Sequence, residues 1–133
     1  MTSAPRPLEG LKVVEFSHMV MGPTCGLILA DLGADVVKVE PAPDGDKTRR
    51  LPASGAGYFG AYNRNKRSIA VDLKSEEGLA FAIELVKASD VLLENFGVGV
   101  IDRLGLGYAA MQAVNPRLVY CALKGFLTGP YEQ

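Results

Sequence analysis

Tryptophan is absent from this chain of 133 residues, histidine occurs once, and cysteine occurs twice. The two cysteines, Cys25 and Cys121, do not have the spacing of metal ligands, so we expect no metal site. Each cysteine lies in an apolar run, which predicts reduced thiols in the core. Such thiols are typical of proteins in a reducing compartment, and we therefore expect a cytoplasmic location.

The sequence also lacks long apolar runs and an excess of either charge. No apolar run is long enough to span a membrane, and the first residues, MTSAPRP, have no signal-peptide core. The formal net charge is -1, which gives no overall electrostatic attraction to nucleic acid or to an anionic membrane. We therefore expect neither partner, and any anion site has to be built locally.

Three motifs of nucleotide binding and hydrolysis are missing as well. The chain has no G-x-x-x-x-G-K-[ST] sequence, and the loop after its first predicted strand, SHMVMGP, lacks G-x-G-x-x-G. It also lacks G-x-S-x-G, which disfavours a serine hydrolase. The single histidine, His18, follows the first strand. It is either a site residue or a structural hydrogen-bonding group, and the sequence leaves both roles open.

What remains is the composition of a globular domain, with 48% apolar and 22% charged residues. Strand and helix patterns alternate, and the first three elements form a βαβ unit, which implies parallel strands. We predict strands over residues 11–16, 35–40, 68–73, 91–93 and 118–123, with helical segments over residues 24–32, 58–62, 75–88 and 107–114. The segment over 17–23 is predicted to be a loop.

This order of elements predicts an α/β fold: a Rossmann-like, mostly parallel sheet with flanking helices. We expect residues 1–7 to form a flexible arm and residues 8–133 to form the sheet region. Residues 41–57 carry three prolines and three glycines, which is typical of a long surface loop. Long loops in compact domains are often functional or disordered.

The end of the fourth strand is a candidate ligand site. Asn95 and Phe96 follow its apolar run, and Gly97 then opens a glycine turn, with Arg103 one turn later. Ligands in open α/β sheets bind beyond the carboxyl ends of the strands. The alternative is an ordinary strand-to-helix connection in which Asn95 is a cap and Arg103 is solvated.

Basic side chains near the predicted strand ends offer local positive charge. Arginine and lysine match phosphate oxygens, so several of them together would suit a phosphorylated ligand. Any single one is more often a solvated surface charge. The candidates are Lys38, Arg49, Arg50, Arg64, Lys66, Arg67, Lys74, Arg103 and Lys124.

Four ordered segments resemble one family, the class III coenzyme A transferases of the CaiB/BaiF type, which include formyl-CoA transferase and carnitine CoA-transferase. The first runs from LEGLKVVEFSHMVMGPTCG to PDGDKTR, over residues 8–49. The others are NKRSIAVDLK (65–74), ENFGVGVIDRLGLGY (94–108) and NPRLVYCALKGFLTGPY (115–131). Together they cover nearly every residue from 8 to 133.

The resemblance implies the N-terminal, Rossmann-like, CoA-binding part of a longer chain that forms an interlocked homodimer. The family moves CoA from an acyl-CoA donor to a carboxylic acid acceptor, through an aspartyl anhydride and an aspartyl-CoA thioester. CoA and acyl-CoA are its substrates, and no prosthetic group is implied. Its nucleophilic aspartate lies beyond Gln133, so we expect no catalytic residue within this chain and no activity from these residues alone.

The resemblance also assigns positions to the ligand. An amide, an aromatic ring and two cations, at Asn95, Phe96, Lys74 and Arg103, suit an adenine and phosphate ligand. A glycine-rich loop at Lys124, Gly125 and Phe126 is a possible oxyanion or substrate loop. The CoA contacts carried over by position are His18, Met19, Val20, Met21, Val71, Asp72, Leu73, Lys74, Asn95, Phe96, Gly97 and Arg103.

Some positions depart from the family pattern. Pro41 stands where members often have a basic residue, and Lys38 or Arg49 would have to compensate. The apolar run from Met19 to Met21 favours a carboxylate other than formate or oxalate. Glu94 to Phe96 and Lys124 to Phe126 favour a transferase over the α-methylacyl-CoA racemases of the same superfamily. A non-catalytic CoA-binding module is the remaining alternative.

Overall fold

The computed structural model describes residues 5–126, which form a five-stranded sheet in the order β3-β2-β1-β4-β5. All four strand pairs are parallel. The predicted α/β class, with a Rossmann-like sheet and flanking helices, is therefore confirmed. The strands are β1 (Lys12–Phe16), β2 (Asp35–Pro41), β3 (Arg67–Val71), β4 (Val91–Glu94) and β5 (Val119–Ala122).

Helices connect successive strands, as parallel pairing requires. Two short 3₁₀ turns, Lys47–Arg50 and Ala53–Gly55, lie between β2 and the second helix. Within residues 5–126, no helix is long and apolar enough to cross a bilayer. The helices are α1 (Met21–Asp31), α2 (Tyr58–Tyr62), α3 (Glu76–Lys87), α4 (Val100–Arg103) and α5 (Tyr108–Val114).

The two faces of the sheet bury different side chains. On one face, Val14 and Leu92 join Val86 of α3 in the larger core cluster. On the other, Val13 and Leu93 pack with the α1 side. Alternation along β1 also places the carboxylate of Glu15 on this second face, where it is fully buried. The core therefore contains charge directly beneath α1.

Three local predictions were wrong in their details. The helix predicted to begin at residue 24 begins at Met21, so Met21 belongs to α1 and not to the preceding loop. Pro23 is compatible with this first turn because the first N–H groups of a helix have no intrahelical partner. Residues 41–57 contain the two 3₁₀ turns instead of an unbroken loop, and α4 was not predicted.

The third helix was predicted closely. Ser75 caps it, since its Oγ accepts the Gly78 N–H at 3.0 Å. Glu76 and Glu77 lie in the first turn, where their charge suits the helix dipole. The cap fixes where α3 leaves the carboxyl end of β3, next to Lys74.

Candidate functional site at the carboxyl edge of the sheet

The strand order reverses between β1 and β4, so the loops after these two strands diverge at one crevice. Open α/β sheets bind ligands at such switch points. Here the loops are joined by one side chain. The Asn95 Oδ1 accepts the backbone N–H of His18 at 3.0 Å, and the Asn95 Nδ2 donates to the backbone carbonyl of His18 at 2.9 Å. Two predicted site segments, far apart in sequence, are thus held together.

A glycine in α1 makes this junction possible. A Cβ at Gly22 would lie 2.9 Å from the Asn95 Cγ and 2.5 Å from the Ser17 Cβ. Both separations are too short for non-bonded carbon atoms. The first turn of α1 can therefore lie against Asn95 only because residue 22 has no side chain.

Met19 has a left-handed backbone in the loop after β1, with φ of 64°. This conformation is uncommon for residues other than glycine and often marks a functional segment. The Met19 N–H donates to the Oγ1 of buried Thr48 at 3.1 Å. Asp46 accepts from both the N–H and the hydroxyl of Thr48, at 2.9 and 2.7 Å. The first 3₁₀ turn thus holds the loop in its strained shape.

Buried lysines support the same loop from below. The Lys38 Nζ donates to the Ser17 carbonyl at 2.6 Å and lies 3.2 Å from the Asp46 carboxylate. The Lys66 Nζ donates to the Pro23 carbonyl at 2.7 Å and lies 2.9 Å from Glu15. Burial lowers the pKa of Lys66, while Glu15 opposes the shift. These lysines fix the backbone between β1 and α1 and are not available to a ligand.

Arg49 is also engaged within the protein. Its guanidinium binds both oxygens of Glu40 at 2.7 Å and stacks 3.7 Å from the centre of the Phe59 ring. Burial of Glu40 opposes its ionisation, but hydrogen bonds from Arg49, Asp46 and Ser68 outweigh this and lower its pKa to about 2. Neither Lys38 nor Arg49 therefore offers a free charge to replace the basic residue absent at Pro41.

Lys74 and Arg103 differ from these cations. Within residues 5–126, neither forms an ion pair. Both are exposed. Leu104, the residue after Arg103, lines the same cavity as Lys74. No carboxylate of residues 5–126 therefore neutralises either of these predicted ligand contacts, but only Lys74 itself lines that cavity.

The predicted segments line three neighbouring cavities. A cavity of about 420 Å³ beyond β2 and β3 is lined by the segment from Val71 to Lys74. A second, of about 440 Å³, is lined by His18, Met19 and Phe96. The third, of about 200 Å³, is lined by Met21, Asn95, Phe96, Gly97, Lys124, Gly125 and Phe126.

Lys124 has partners in the structure. Its Nζ lies 2.6 Å from the Glu94 Oε1 and donates to the Phe96 carbonyl at 2.9 Å. Glu94 is fully buried and also accepts the Phe96 N–H at 2.9 Å. Lys124 thus connects the end of β5 to the loop after β4. Val20 lines none of the three cavities described above.

Sequence reasoning missed Thr48 and Asp46 as residues that shape the site, and it considered Lys66 only as a candidate cation for a phosphorylated ligand. A signal for the first two was present, because an aspartate in a loop rich in glycine and proline often accepts the N–H of the second residue after it, as in an Asx turn. Lys66 had no such signal, since a lysine that folding buries cannot be distinguished in a sequence from a surface lysine. Its role depends on Glu15, 51 residues earlier.

Comparison with known proteins identifies the family. The model of CoA-transferase family III matches residues 8–133. A formyl-CoA:oxalate CoA-transferase of Bradyrhizobium sp. is 46% identical over 131 residues, covering 96% of this chain and 31% of the relative. An acyl-CoA transferase of Fusarium pseudograminearum is 43% identical over 143 residues, covering 98% of this chain and 31% of the relative.

Solved structures give the same result. A CaiB/BaiF family protein from Brucella suis is 47% identical with a TM-score of 0.88, covering 97% of this chain and 36% of that one. The D175A mutant of Rv3272 from Mycobacterium tuberculosis is 38% identical with a TM-score of 0.92, covering 98% and 36%. The chain thus spans about a third of the length of these relatives. It belongs to CoA-transferase family III.

Proposed function

We propose that the chain is the N-terminal, CoA-binding part of a CoA-transferase that moves CoA from an acyl-CoA to a carboxylic acid. The observation that carries the proposal is the family match over residues 8–133, within which the predicted contact segments converge on one edge of the sheet. The arm expected over residues 1–7 remains part of the proposal, and residues 1–4 of it lie outside the described residues. The proposal extends to a protein about three times as long, in which further residues complete the site.

The described residues have the chemistry to bind CoA and hold it in place. Lys74 and Arg103 supply free positive charge for the phosphates. Phe96, stacked on His18 with ring centres 6.0 Å apart, offers an aromatic surface. Asn95 positions the His18 loop and leaves its own amide with little capacity for the ligand. We therefore assign Asn95 a positioning role in CoA binding.

The chemical step requires a carboxylate beyond Gln133. An aspartate attacks the donor thioester, which gives an acyl-aspartyl anhydride and CoA thiolate. The thiolate then attacks the aspartyl carbonyl, which releases the donor acid and leaves an aspartyl-CoA thioester. The acceptor carboxylate attacks this thioester, and the thiolate finally takes the acceptor acyl group from the new anhydride. The segment around Lys124 to Phe126 lies near the loop after β4 and is proposed to face the reacting carbonyl.

CoA binding to the purified chain tests the first part of the proposal. Calorimetry should give a dissociation constant in the micromolar range, about -8 kcal/mol. The Asn95→Ala, Arg103→Ala double variant should bind at least tenfold more weakly. Folded protein that does not bind CoA would contradict a preformed site on this chain.

Activity is tested on the longer protein of which this chain is a part. CoA exchange between an acyl-CoA and a ¹³C-labelled carboxylate should be detectable, and hydroxylamine should trap an aspartyl hydroxamate with loss of activity. A racemase would instead exchange the α-hydrogen of a branched acyl-CoA with deuterium from solvent. Such exchange without CoA transfer would overturn the proposal.

The assembly and location of the protein are part of the same proposal. We propose an interlocked homodimer in the cytoplasm, with no prosthetic group. Light scattering of the longer protein should give twice the mass of one chain. Subunits labelled with different isotopes and mixed after folding should exchange slowly, because interlocked chains must open before they separate.

A further inference from the structure

The cavity of about 440 Å³ lies between the loop after β1 and the first 3₁₀ turn, and its walls are mainly apolar. The hydrocarbon surfaces come from both sides of the opening. Residues that line it are Ser17, His18, Met19, Val39, Pro41, Asp46, Lys47, Thr48, Leu51 and Phe96.

Polar groups in these walls already have partners. Thr48 accepts from the Met19 N–H and donates to Asp46. Asp46 in turn is paired with Lys38, and Ser17 donates its hydroxyl to Glu15. A polar guest would therefore lose its hydration without gaining hydrogen bonds deep in the cavity, which is unfavourable. An apolar guest has no such cost.

The mouth of the cavity differs from its interior. Lys47 and His18 are exposed there, and Lys47 forms no ion pair among residues 5–126. A cation and an imidazole beside an apolar interior match a carboxylic acid with a hydrocarbon tail. The cavity also shares His18, Met19 and Phe96 with the proposed CoA contacts. A thioester bound along those residues would have its acyl group within reach of the cavity.

We propose that this cavity binds the hydrocarbon part of the acyl group, so that the substrates are apolar acyl-CoA esters and carboxylic acids. The inference rests on the proposed CoA-transferase function and specifies its substrate class. Formate has no hydrocarbon part, and oxalate carries oxygen on both carbons. Neither would gain from walls formed by Val39, Pro41 and Leu51.

Binding of an acyl-CoA series to the purified chain, and to the longer protein, tests the inference. CoA, acetyl-CoA, butyryl-CoA and hexanoyl-CoA are titrated by calorimetry. Each buried methylene should tighten binding by up to about fourfold, so hexanoyl-CoA should bind at least tenfold more tightly than acetyl-CoA. Equal affinity across the series, with CoA itself bound, would overturn the inference and leave the proposed function intact.

A variant of a wall residue tests whether the dependence of affinity on acyl length arises in this cavity. Leu51→Asp places a charge in the wall, and the affinity ratio of hexanoyl-CoA to acetyl-CoA should fall close to one. Ile28→Ser, at an apolar residue of α1 that is 55% exposed, is the matched control and should leave the ratio unchanged. An equal loss of affinity for all four ligands in Leu51→Asp would overturn the inference, because the cavity would then hold part of CoA itself.

Free acids provide a test that does not depend on CoA. Hexanoate at millimolar concentration should shift the methyl NMR signals of Met19 and Leu51 but not that of Ile28, and oxalate should shift none of them. Larger shifts with oxalate than with hexanoate would overturn the inference. Absence of CoA binding together with these hexanoate shifts would count against the proposed function, but not against an apolar binding cavity.

Discussion

The side-chain amide of Asn95 forms hydrogen bonds to the backbone of His18 through both its oxygen and its nitrogen. It accepts the His18 N–H at 3.0 Å and donates to the His18 carbonyl at 2.9 Å. Asn95 follows β4 and His18 follows β1, so the amide spans the switch point of the sheet. Asn95, which the sequence predicts to touch the ligand, therefore forms its side-chain hydrogen bonds within the protein, to the backbone of His18.

Replacement of Asn95 by alanine should weaken CoA binding about tenfold, because the two lost hydrogen bonds no longer hold the His18 loop. Calorimetry measures this effect, and thermal unfolding of the same variant measures the loss of stability that accompanies the two lost hydrogen bonds. Asn115→Ala is the matched control, because that amide donates to the carbonyls of Val86 and Ser89. It should lower stability without changing the affinity of the remaining folded protein. Unchanged CoA affinity in Asn95→Ala would argue against a positioning role.

Removal of either free cation should weaken CoA binding. Lys74→Ala and Arg103→Ala should each reduce affinity by roughly ten- to a hundredfold, since hydrogen bonds to charged groups contribute about 1.5–3 kcal/mol. The loss should be smaller in high salt, which screens exposed charges. Lys87→Ala, which removes an exposed ion pair with Glu84, should bind CoA normally. Titrations at two salt concentrations measure all three variants, and an Arg103→Ala variant with normal affinity would remove that residue from the proposed site.

Stability should fall in acid because of Glu40. Its pKa is about 2 in the folded protein, compared with an ordinary value of 4.5, so the unfolded chain takes up the proton first. The stabilisation, on the order of 3 kcal/mol, is fully present above about pH 4.5 and is lost as the pH falls through about 2. Denaturant unfolding between pH 2 and 7 measures it. Glu40→Gln should be less stable than the unchanged protein at pH 7 and should lose less stability in acid. If both proteins show the same dependence of stability on pH, the acid sensitivity comes from groups other than Glu40.

Two glycines in helices should respond in opposite ways to alanine. A Cβ at Gly26 would lie 1.8 Å from the Glu15 Oε2, in the buried ion pair with Lys66. Gly26→Ala should therefore destabilise the protein by about 1–3 kcal/mol. Gly60 has nothing within 4 Å of the same position, so Gly60→Ala should stabilise α2 by up to about 1 kcal/mol. Urea unfolding compares the pair, and a neutral Gly26→Ala would mean that Glu15 can move aside.

Part of the site was visible in the sequence because it depends on order along the chain. The apolar runs at Val13 and Leu92 predicted strands, and Asn95 and Phe96 immediately followed one of them. Parallel pairing then required the strand ends to lie along one edge. The contribution of Lys38 was not predictable, because it looked like a strand-end cation and is instead 1% exposed beneath the loop.

The sequence by itself determined the α/β class, the five strands and the family, because apolar periodicity and ordered motifs are properties of neighbouring residues. The tertiary structure alone decided which polar groups remain free. Arg49 and Lys38 are held by Glu40 and Asp46, whereas Arg103 makes no ion pair among residues 5–126. The physical reason is that a charge is neutralised by whatever folding brings within about 4 Å, and sequence separation does not limit that distance.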